Sequence, residues 1–354
     1  MNVQRFGLAS ALLTVTAISL TACGTPASGV GGAGAPAVDA SSMEALVEAA
    51  KAEGKLSLYG ELQEPDMVRF AEGFAEKYDI DVQPLRLGGN SLAQRFDAEV
   101  KAGGATADML ITLDLEFLAD VIERDLVVPF DESGVKPLLE DFPEEFSFTN
   151  PNVPLLQTIS TGFIYNTDKV TADELPATWD ALVDNERWKG QYCSVDPATT
   201  FSVVQFFSVV RESASSKALQ EYGANIGRWY PNIVAMNEAV AVGECVLGIN
   251  SAKFFVEGMK AAASAPVEFA YGPSTIHPVV TAAVVDGAAH PNAARLFLHY
   301  ILSEEGNAML NAPAAGSLGP WDGGEMADDF WVPEIEDFEG WREESPEIQA
   351  LLGL

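Results

Sequence analysis

Hydrophobic and polar positions alternate between two periods along the first third of the chain, which predicts alternating helices and strands. Met67, Phe70, Phe74 and Tyr78 recur every three or four positions and give a helix over 65–78 one apolar side. Strands are predicted over 55–59, 80–87 and 107–113, and further helices over 41–53, over 91–102 and from Asp114 to about 124. This βαβαβα order is typical of a parallel sheet with helices on both faces.

The middle of the chain repeats the alternation, which predicts a second lobe. Strands are predicted over 155–165, 191–195, 232–236, 245–249 and 267–271, and helices over 178–185, 200–211, 238–242 and 291–302. We therefore expect an α/β fold of two lobes, each a mainly parallel sheet with helices on both faces, and a ligand cleft between the lobes. The expected divisions are 41–154 plus 273–320 for the first lobe, 155–272 for the second and 321–354 for a C-terminal segment.

The N-terminus has the pattern of an export signal. Residues 1–22 carry one charged side chain, Arg5, and an apolar run over 8–20 that is too short for a permanent membrane helix. The run ends in Leu-Thr-Ala-Cys23, which resembles a bacterial lipobox. That resemblance implies cleavage before Cys23, a lipid on its thiol and a protein anchored outside the cytoplasm. Residues 23–40 are rich in Gly, Ala and Pro and predict a flexible linker. A plain signal peptide followed by a chance cysteine is the alternative.

The charge balance excludes one class of partner. Asp and Glu total 52 against 20 Lys and Arg, a net charge of −32 over 354 residues. Without a basic stripe the chain cannot displace counterions from phosphates, so nucleic acid is excluded and membrane contact is expected through the lipid only. Eleven acidic residues lie between Asp322 and Glu347, where Arg342 is the single basic residue, and we interpret this segment as a solvated tail.

The cysteines predict a disulfide. With Cys23 assigned to the lipid, Cys193 and Cys245 remain, on strands predicted to be neighbours in one lobe. Thiols outside the cytoplasm tend to pair, so a Cys193–Cys245 disulfide is expected, with two buried thiols as the alternative. Three histidines leave little material for a zinc site, and neither a metal nor a cofactor is predicted.

Small polar residues follow the predicted strands at the joints to the next helices. Such joints meet at the carboxyl edge of an α/β sheet, where helix N-termini offer unpaired N–H groups. The candidate ligand-binding residues are Tyr59, Gly60, Glu61, Asn90, Ser91, Asp114, Thr161, Thr199, Thr200, Tyr230, Ser251 and Lys253. Each joint is equally what a capped helix needs without any ligand.

Five short motifs occur in order along the chain: KLSLY at 55–59, TGFIYN at 161–166, TWD at 178–180, VGE at 242–244 and HPNA at 290–293. Together they resemble the extracellular solute-binding proteins of bacterial ABC importers, in the branch that includes ferric-iron binders. The resemblance covers about residues 50–310 and implies a type II periplasmic-binding fold with hinge strands. It also implies a monomer that closes on a solute and delivers it to a permease with its ATPase.

One departure from the iron branch bears on the solute. Iron binders of that branch carry two adjacent tyrosines just after the strand that here ends at Ile249, whereas this chain has Asn-Ser-Ala-Lys-Phe-Phe over 250–255. Lys253 opposes a metal ion and favours a phosphate, phosphonate or carboxylate group, unless it is a surface lysine beside the cleft. Ferric iron stays as the alternative because four other tyrosines could reach a cleft: Tyr59, Tyr165, Tyr230 and Tyr271.

Two common hydrolase motifs are absent. The chain lacks a Gly-x-Ser-x-Gly elbow and a His-Glu-x-x-His helix, so we expect a binding protein and not an enzyme. A secreted hydrolase with dispersed catalytic residues and a surface scaffold without a ligand are the remaining alternatives.

Overall fold

The computed structural model describes residues 42–88, 90–139, 142, 152–199, 201–276, 278–310, 317–318, 321, 330–331 and 335–354. The predicted signal peptide, the lipobox with Cys23 and the linker lie outside these residues. Within them, no helix is both long enough and apolar enough to cross a membrane.

The elements alternate along the described chain. In order they are α1 (Met43–Glu53), β1 (Lys55–Gly60), α2 (Glu64–Tyr78), β2 (Asp81–Arg86), α3 (Asn90–Lys101), β3 (Met109–Thr112), α4 (Leu115–Glu123), β4 (Val127–Val128), β5 (Leu155–Ile159), β6 (Thr161–Asn166), α5 (Trp179–Asp184), β7 (Tyr192–Val195), α6 (Phe201–Ser213), α7 (Ser216–Asn225), β8 (Arg228–Tyr230), α8 (Ile233–Ala241), β9 (Leu247–Ala252), α9 (Lys253–Ala263), β10 (Val267–Ala270), β11 (Thr275–Ile276), β12 (Val279–Val285), α10 (Pro291–Leu302), α11 (Glu304–Leu310), β13 (Ser317–Leu318), β14 (Phe330–Trp331) and α12 (Ile335–Leu351).

Two main sheets form the two lobes. Among the described residues the first sheet has seven strands in the order β13–β5–β12–β3–β1–β2, with β4 beside β12, and the second has five in the order β10–β6–β9–β7–β8. A third, two-stranded sheet pairs β11 with β14. The two-lobed α/β fold expected from the sequence is confirmed.

Both main sheets are mixed, which differs from the mainly parallel sheets expected. In the first lobe β1 pairs in parallel with β2 and β3, whereas β12 runs antiparallel to β3 and β5. In the second lobe β7 is parallel to β8 and β9, whereas β6 is antiparallel to β9 and β10. The antiparallel strands are those next to the crossings between lobes, where the chain enters each sheet without a helical crossover.

Local sequence signals account for the first-lobe helices. Ser42 caps α1 by accepting a hydrogen bond from the Ala45 amide, and Gly54 ends it in the left-handed conformation with φ 72°. In α2, Phe70 and Phe74 are fully buried, and the Phe74 ring packs edge-on against Phe297 with centroids 5.0 Å apart. The three- and four-residue spacing therefore does mark the face turned to the core.

Three sequence expectations need correction. The single strand expected over 155–165 is divided at Ser160: β5 joins the first sheet and β6 the second, so the lobe boundary expected at 155 lies at Ser160. The strand expected over 232–236 is the start of α8, because the Asn232 side chain accepts a hydrogen bond from the Ala235 amide and caps a helix. The solvated tail ends in a 17-residue helix, α12.

Candidate ligand cleft between the two lobes

A cleft of about 930 Å³ lies between the lobes. Its lining is supplied mainly by the carboxyl ends of strands and the residues that follow them, the place at which α/β sheets hold ligands. The polar lining residues are Glu61, Gln63, Arg86, Asp114, Glu116, Thr161, Thr199, Ser202, Gln205, Asn250, Arg342, Ser345 and Gln349.

The first lobe presents a carboxylate held by its neighbours. Glu61 follows β1, and its Oε2 accepts hydrogen bonds from the Leu113 amide at 2.6 Å and the Thr112 hydroxyl at 2.9 Å. Burial raises the pKa of Glu61 above its usual 4.5, and the nearby Asp114 carboxylate adds to the rise, while the two hydrogen bonds oppose it. Asp114 is itself fixed as the cap of α4 through the Glu116 and Phe117 amides, at 3.1 and 3.0 Å.

The second lobe presents two side-chain amides to the cleft. Gln205 of α6 lines the cleft at 7% exposure. Asn250 of β9 has a left-handed backbone with φ 64°, and its Oδ1 is buried with no hydrogen-bond partner in the described chain. A buried polar atom without a partner is unfavourable, so the Asn250 Oδ1 is suited to accept a hydrogen bond from a polar solute in the cleft.

Cations and aromatic rings complete the lining. Arg86 stands at the end of β2, where its Nε donates to the Leu62 carbonyl at 3.4 Å. Phe254 and Phe255 at the start of α9 stack with ring centroids 4.3 Å apart. A guanidinium suits an anionic group, and an aromatic wall suits the apolar side of an organic solute.

Adjacent crossing strands join the lobes beside the cleft. The chain passes from β5 to β6 at Ser160 and returns from β10 to β12 through β11. The Tyr271 hydroxyl donates to Ser160 Oγ at 3.2 Å, and the Ile159 amide donates to the Pro278 carbonyl at 2.7 Å. These bonds tie the two crossings together beside the cleft.

Four of the residues expected from the sequence line the cleft: Glu61, Asp114, Thr161 and Thr199. Thr199 is placed by a turn in which its hydroxyl donates to the Asp196 carbonyl at 2.7 Å. Two other candidates lie outside what the structure describes, the whole of Thr200 and the side chain of Asn90.

The remaining candidates are placed away from the lining residues: Tyr59, Gly60, Ser91, Tyr230, Ser251 and Lys253. The Tyr59 hydroxyl donates to Glu99 of α3 at 2.9 Å, so this side chain lies against the α3 layer. The Tyr230 hydroxyl donates to Glu244 at 3.1 Å. Ser91 is exposed on α3.

Packing explains the placement of the other three. Ser251 is fully buried and donates to Asn237 Oδ1 at 2.9 Å. The Lys253 ammonium lies 6.0 Å from the centre of the Phe269 ring, which corresponds to the alternative of a lysine beside the cleft. A Cβ at Gly60 would lie 2.9 Å from Met67 Cε, so this glycine lets α2 approach β1.

Some lining residues were missed by the sequence analysis. Gln205 is the single amide in the apolar run over 201–210 of α6, a signal that could have been used. Arg86 was passed over as the polar end of a strand. Nothing local could have placed Arg342, Ser345 and Gln349, because they reach the cleft only through the docking of α12.

The two body cysteines are joined in the structure. Cys193 of β7 and Cys245, just before β9, form a disulfide with their Cα atoms 6.2 Å apart. It crosslinks the buried strands of the second lobe. Across the described residues, no group of three or more His, Cys, Asp and Glu side chains is close enough together to hold a metal ion.

The chain is similar to several known structures. Iron-bound HitA from Pseudomonas aeruginosa is 22% identical with a TM-score of 0.66, over 85% of this chain and 99% of that one. The substrate-binding protein of an ABC transporter from Agrobacterium tumefaciens is 20% identical with a TM-score of 0.68, over 84% and 95%. AfuA from Actinobacillus pleuropneumoniae, with fructose 6-phosphate bound, is 19% identical with a TM-score of 0.60, over 84% and 97%. These likenesses show the fold.

The family follows from the sequence match itself. Residues 59–308 match the model of the bacterial extracellular solute-binding proteins, a span that contains both lobes and most of the cleft. The protein therefore belongs to the family of bacterial extracellular solute-binding proteins.

Proposed function

We propose that this protein captures a small organic anion between its lobes outside the cytoplasm and delivers it to the permease and ATPase of an ABC importer. The observation that carries the proposal is Asn250, which lines the cleft and whose buried Oδ1 has no hydrogen-bond partner in the described chain; Gln205 of the same lobe also lines the cleft. They face a first-lobe wall built from Glu61 and Asp114, so a solute that bonds both walls is held best when the lobes are closed.

The lining supports a solute with both an anionic group and hydroxyl groups. Arg86 and Arg342 can bind a phosphate, phosphonate or carboxylate, while Glu61 and Asp114 can accept hydrogen bonds from hydroxyls. Charge-assisted hydrogen bonds contribute about 1.5–3 kcal/mol each. Five or six of them exceed the cost of association by enough for micromolar affinity, about −8 kcal/mol. The likeness to AfuA with fructose 6-phosphate bound supports the same solute class.

The overall negative charge of the protein does not oppose an anionic solute. Screening at physiological salt has a Debye length of about 8 Å, so distant surface carboxylates act weakly inside the cleft. Contacting donors act at hydrogen-bond distance and decide the sign of the local interaction.

Ferric iron is the second candidate, favoured by the likeness to iron-bound HitA. The cleft offers the carboxylates of Glu61, Asp114 and Glu116 as hard oxygen donors. None of the four tyrosines considered for iron is among the lining residues, and Tyr59 and Tyr230 each donate to a carboxylate away from them. The organic anion therefore remains the first candidate.

The anchor is a further part of the proposal. A lipid on Cys23 would hold the binding lobes at the membrane beside the permease, within reach of the linker over 24–40. Mass spectrometry of the membrane-extracted protein should find Cys23 as the N-terminal residue with acyl chains. The Cys23→Ala variant should leave the membrane fraction, and a variant that stays there would contradict the anchor.

A thermal-shift panel tests the binding function. It should contain sugar phosphates, phosphonates, hydroxycarboxylates, polyamines, neutral sugars and ferric salts, with native mass spectrometry of the purified protein to detect a retained molecule. A hydroxylated anion is expected to raise the melting temperature by binding the native state alone. A ferric charge-transfer colour would favour iron, turnover of a labelled ester a hydrolase, and no shift with any solute a scaffold.

A further inference from the structure

The C-terminal helix α12 carries a polar stripe into the cleft. Arg342, Ser345 and Gln349 are spaced by three and four residues, which places them on one face of the helix. All three line the cleft, and Gln349 Nε2 donates to Ser345 Oγ at 3.2 Å. A segment that is outside both sheets therefore supplies a third wall of the cleft.

A second stripe fixes the same helix to the second lobe. Trp341, Ile348 and Leu352 are 6%, 0% and 2% exposed and belong to the apolar core shared with α6 and α7. Arg211 of α6 adds an ion pair to Glu344 at 2.5 Å. The helix thus packs on the second lobe and also meets α4 of the first lobe.

One ion pair extends from this helix to the first lobe. Arg342 pairs with Glu116 in the first turn of α4, next to the capping residue Asp114. The two side chains are 63% and 43% exposed, so water screens the pair and it contributes little to stability. Another anion can therefore replace Glu116 at Arg342 with little loss of free energy.

We propose that Arg342 is a ligand-contacting residue, which releases Glu116 to bind the anionic group of the solute. This inference rests on the proposed function and names the residue that selects a negatively charged solute. The guanidinium is permanently charged and offers a planar fork that matches two oxygens of a phosphate or carboxylate. Glu116 lines the same cleft as Arg342, so an anion that enters the cleft can take its place at the guanidinium. Ser345 and Gln349 supply further donors from the same face.

The test uses inorganic phosphate as the probe, titrated at constant ionic strength set with chloride. Melting temperature and calorimetric affinity are measured for the full-length wild type, Arg342→Gln, Glu116→Gln and Arg187→Gln. Arg187 pairs with Glu174 at 2.5 Å on the second lobe with side-chain exposures of 42% and 36%, and it does not line the cleft, so it is the matched control.

Phosphate is expected to stabilise the wild type beyond chloride, and Arg342→Gln to weaken its binding about tenfold. Glu116→Gln should tighten it several-fold, because the competing carboxylate is removed, and a gain of affinity cannot arise from misfolding. Arg187→Gln should match the wild type. Three results would each overturn the inference. They are equal phosphate affinity of wild type and Arg342→Gln, weaker phosphate binding by Glu116→Gln, and no stabilisation of the wild type by phosphate beyond that by chloride. A solute from the thermal-shift panel that binds the wild type and Arg342→Gln equally would leave the proposed function standing and remove this residue from it.

Discussion

Thr161 and Thr275 share a hydrogen bond between their hydroxyls, 2.7 Å apart, where two strands cross between the lobes. Thr161 begins β6 and Thr275 begins β11, so a residue of the outgoing crossing holds a residue of the returning one. Thr275 Oγ1 also bonds to the Thr161 carbonyl at 3.0 Å, and both residues are buried. The two crossing strands are therefore held together by buried hydrogen bonds.

The paired threonines are expected to stabilise the fold where the two strands cross between the lobes. The double variant Thr161→Val and Thr275→Val keeps the side-chain volume but removes the hydroxyl pair, and it should lower the free energy of unfolding by about 1–3 kcal/mol. Urea denaturation measures this change. Thr167→Val, at an exposed threonine just after β6, is the control and should change stability by less than about 0.5 kcal/mol. A double variant as stable as the control would contradict the assigned role.

The buried amide of Gln205 is expected to bind solute and not to hold the fold. Gln205→Leu keeps the shape and removes the polar group, so affinity for the solute found in the panel should fall about 10- to 100-fold. Stability should stay level, since the amide that is removed lines the cleft. Gln220→Leu on the exposed side of α7 is the control, and calorimetric titration is the measurement. Unchanged affinity in Gln205→Leu would remove this residue from the site.

Glu61 is expected to make stability depend on pH. Its pKa is raised above 4.5 in the folded protein, mainly by burial, so folding favours the protonated carboxyl. That contribution is fully present below about pH 4.5 and is lost as the pH rises through the raised pKa. Denaturation of wild type and Glu61→Gln between pH 4 and pH 8 should show the variant gaining stability relative to the wild type as pH increases. A constant difference across this range would contradict the raised pKa.

Gly223 is expected to be required for docking of the C-terminal helix. A Cβ at this position of α7 would lie 2.1 Å from the Leu352 carbonyl oxygen, so Gly223→Ala must displace the end of the chain. We expect a loss of about 1–3 kcal/mol in urea and a red shift of the Trp341 fluorescence as this buried ring meets water. Gly258→Ala in α9 is the matched control, because its Cβ would meet no atom within 4 Å. Equal behaviour of the two variants would show that α12 does not depend on this contact.

The disulfide is expected to stabilise the second lobe. Cys193 and Cys245 are 52 residues apart in sequence, and closing such a loop in the unfolded chain is worth about 4 kcal/mol. The variant with both cysteines replaced by alanine should lose stability of that order in urea. Thiol titration of the unfolded wild type should find neither cysteine reactive until a reductant is added. Two reactive thiols without reductant would establish the alternative of free cysteines.

Periodic patterns predicted most of the elements, because a helix or strand with one buried face repeats apolar residues at its own spacing. This holds for α2 with Phe70 and Phe74 and for the cap of α4 at Asp114. It fails over 232–236, where an apolar run is compatible with a strand and the Asn232 cap decides for a helix. Short apolar runs carry no period that separates the two.

The position of the cleft followed from chain order, since the residues after parallel strands meet at one edge of a sheet. Glu61, Asp114 and Thr199 were found in this way. Tyr59 lies within β1 and bonds to Glu99 of α3, whereas Glu61 follows the end of the strand and lines the cleft. Which residues near a strand end reach the cleft is decided by where the strand stops and how helices pack against the sheet, and a local pattern does not give either to within one or two residues.

The sequence by itself determined the alternating elements, the export signal pattern, the family motifs and the strand ends at which a ligand would sit, because each depends on residues close together in the chain. Only the tertiary structure decided that the acidic segment docks as a helix and contributes Arg342 to the cleft. That docking depends on Arg211 meeting Glu344 across a separation of 133 residues and on Gly223 leaving room for Leu352. Contacts of this kind require shape and charge complementarity between distant segments, and the periodicity within one segment does not predict them.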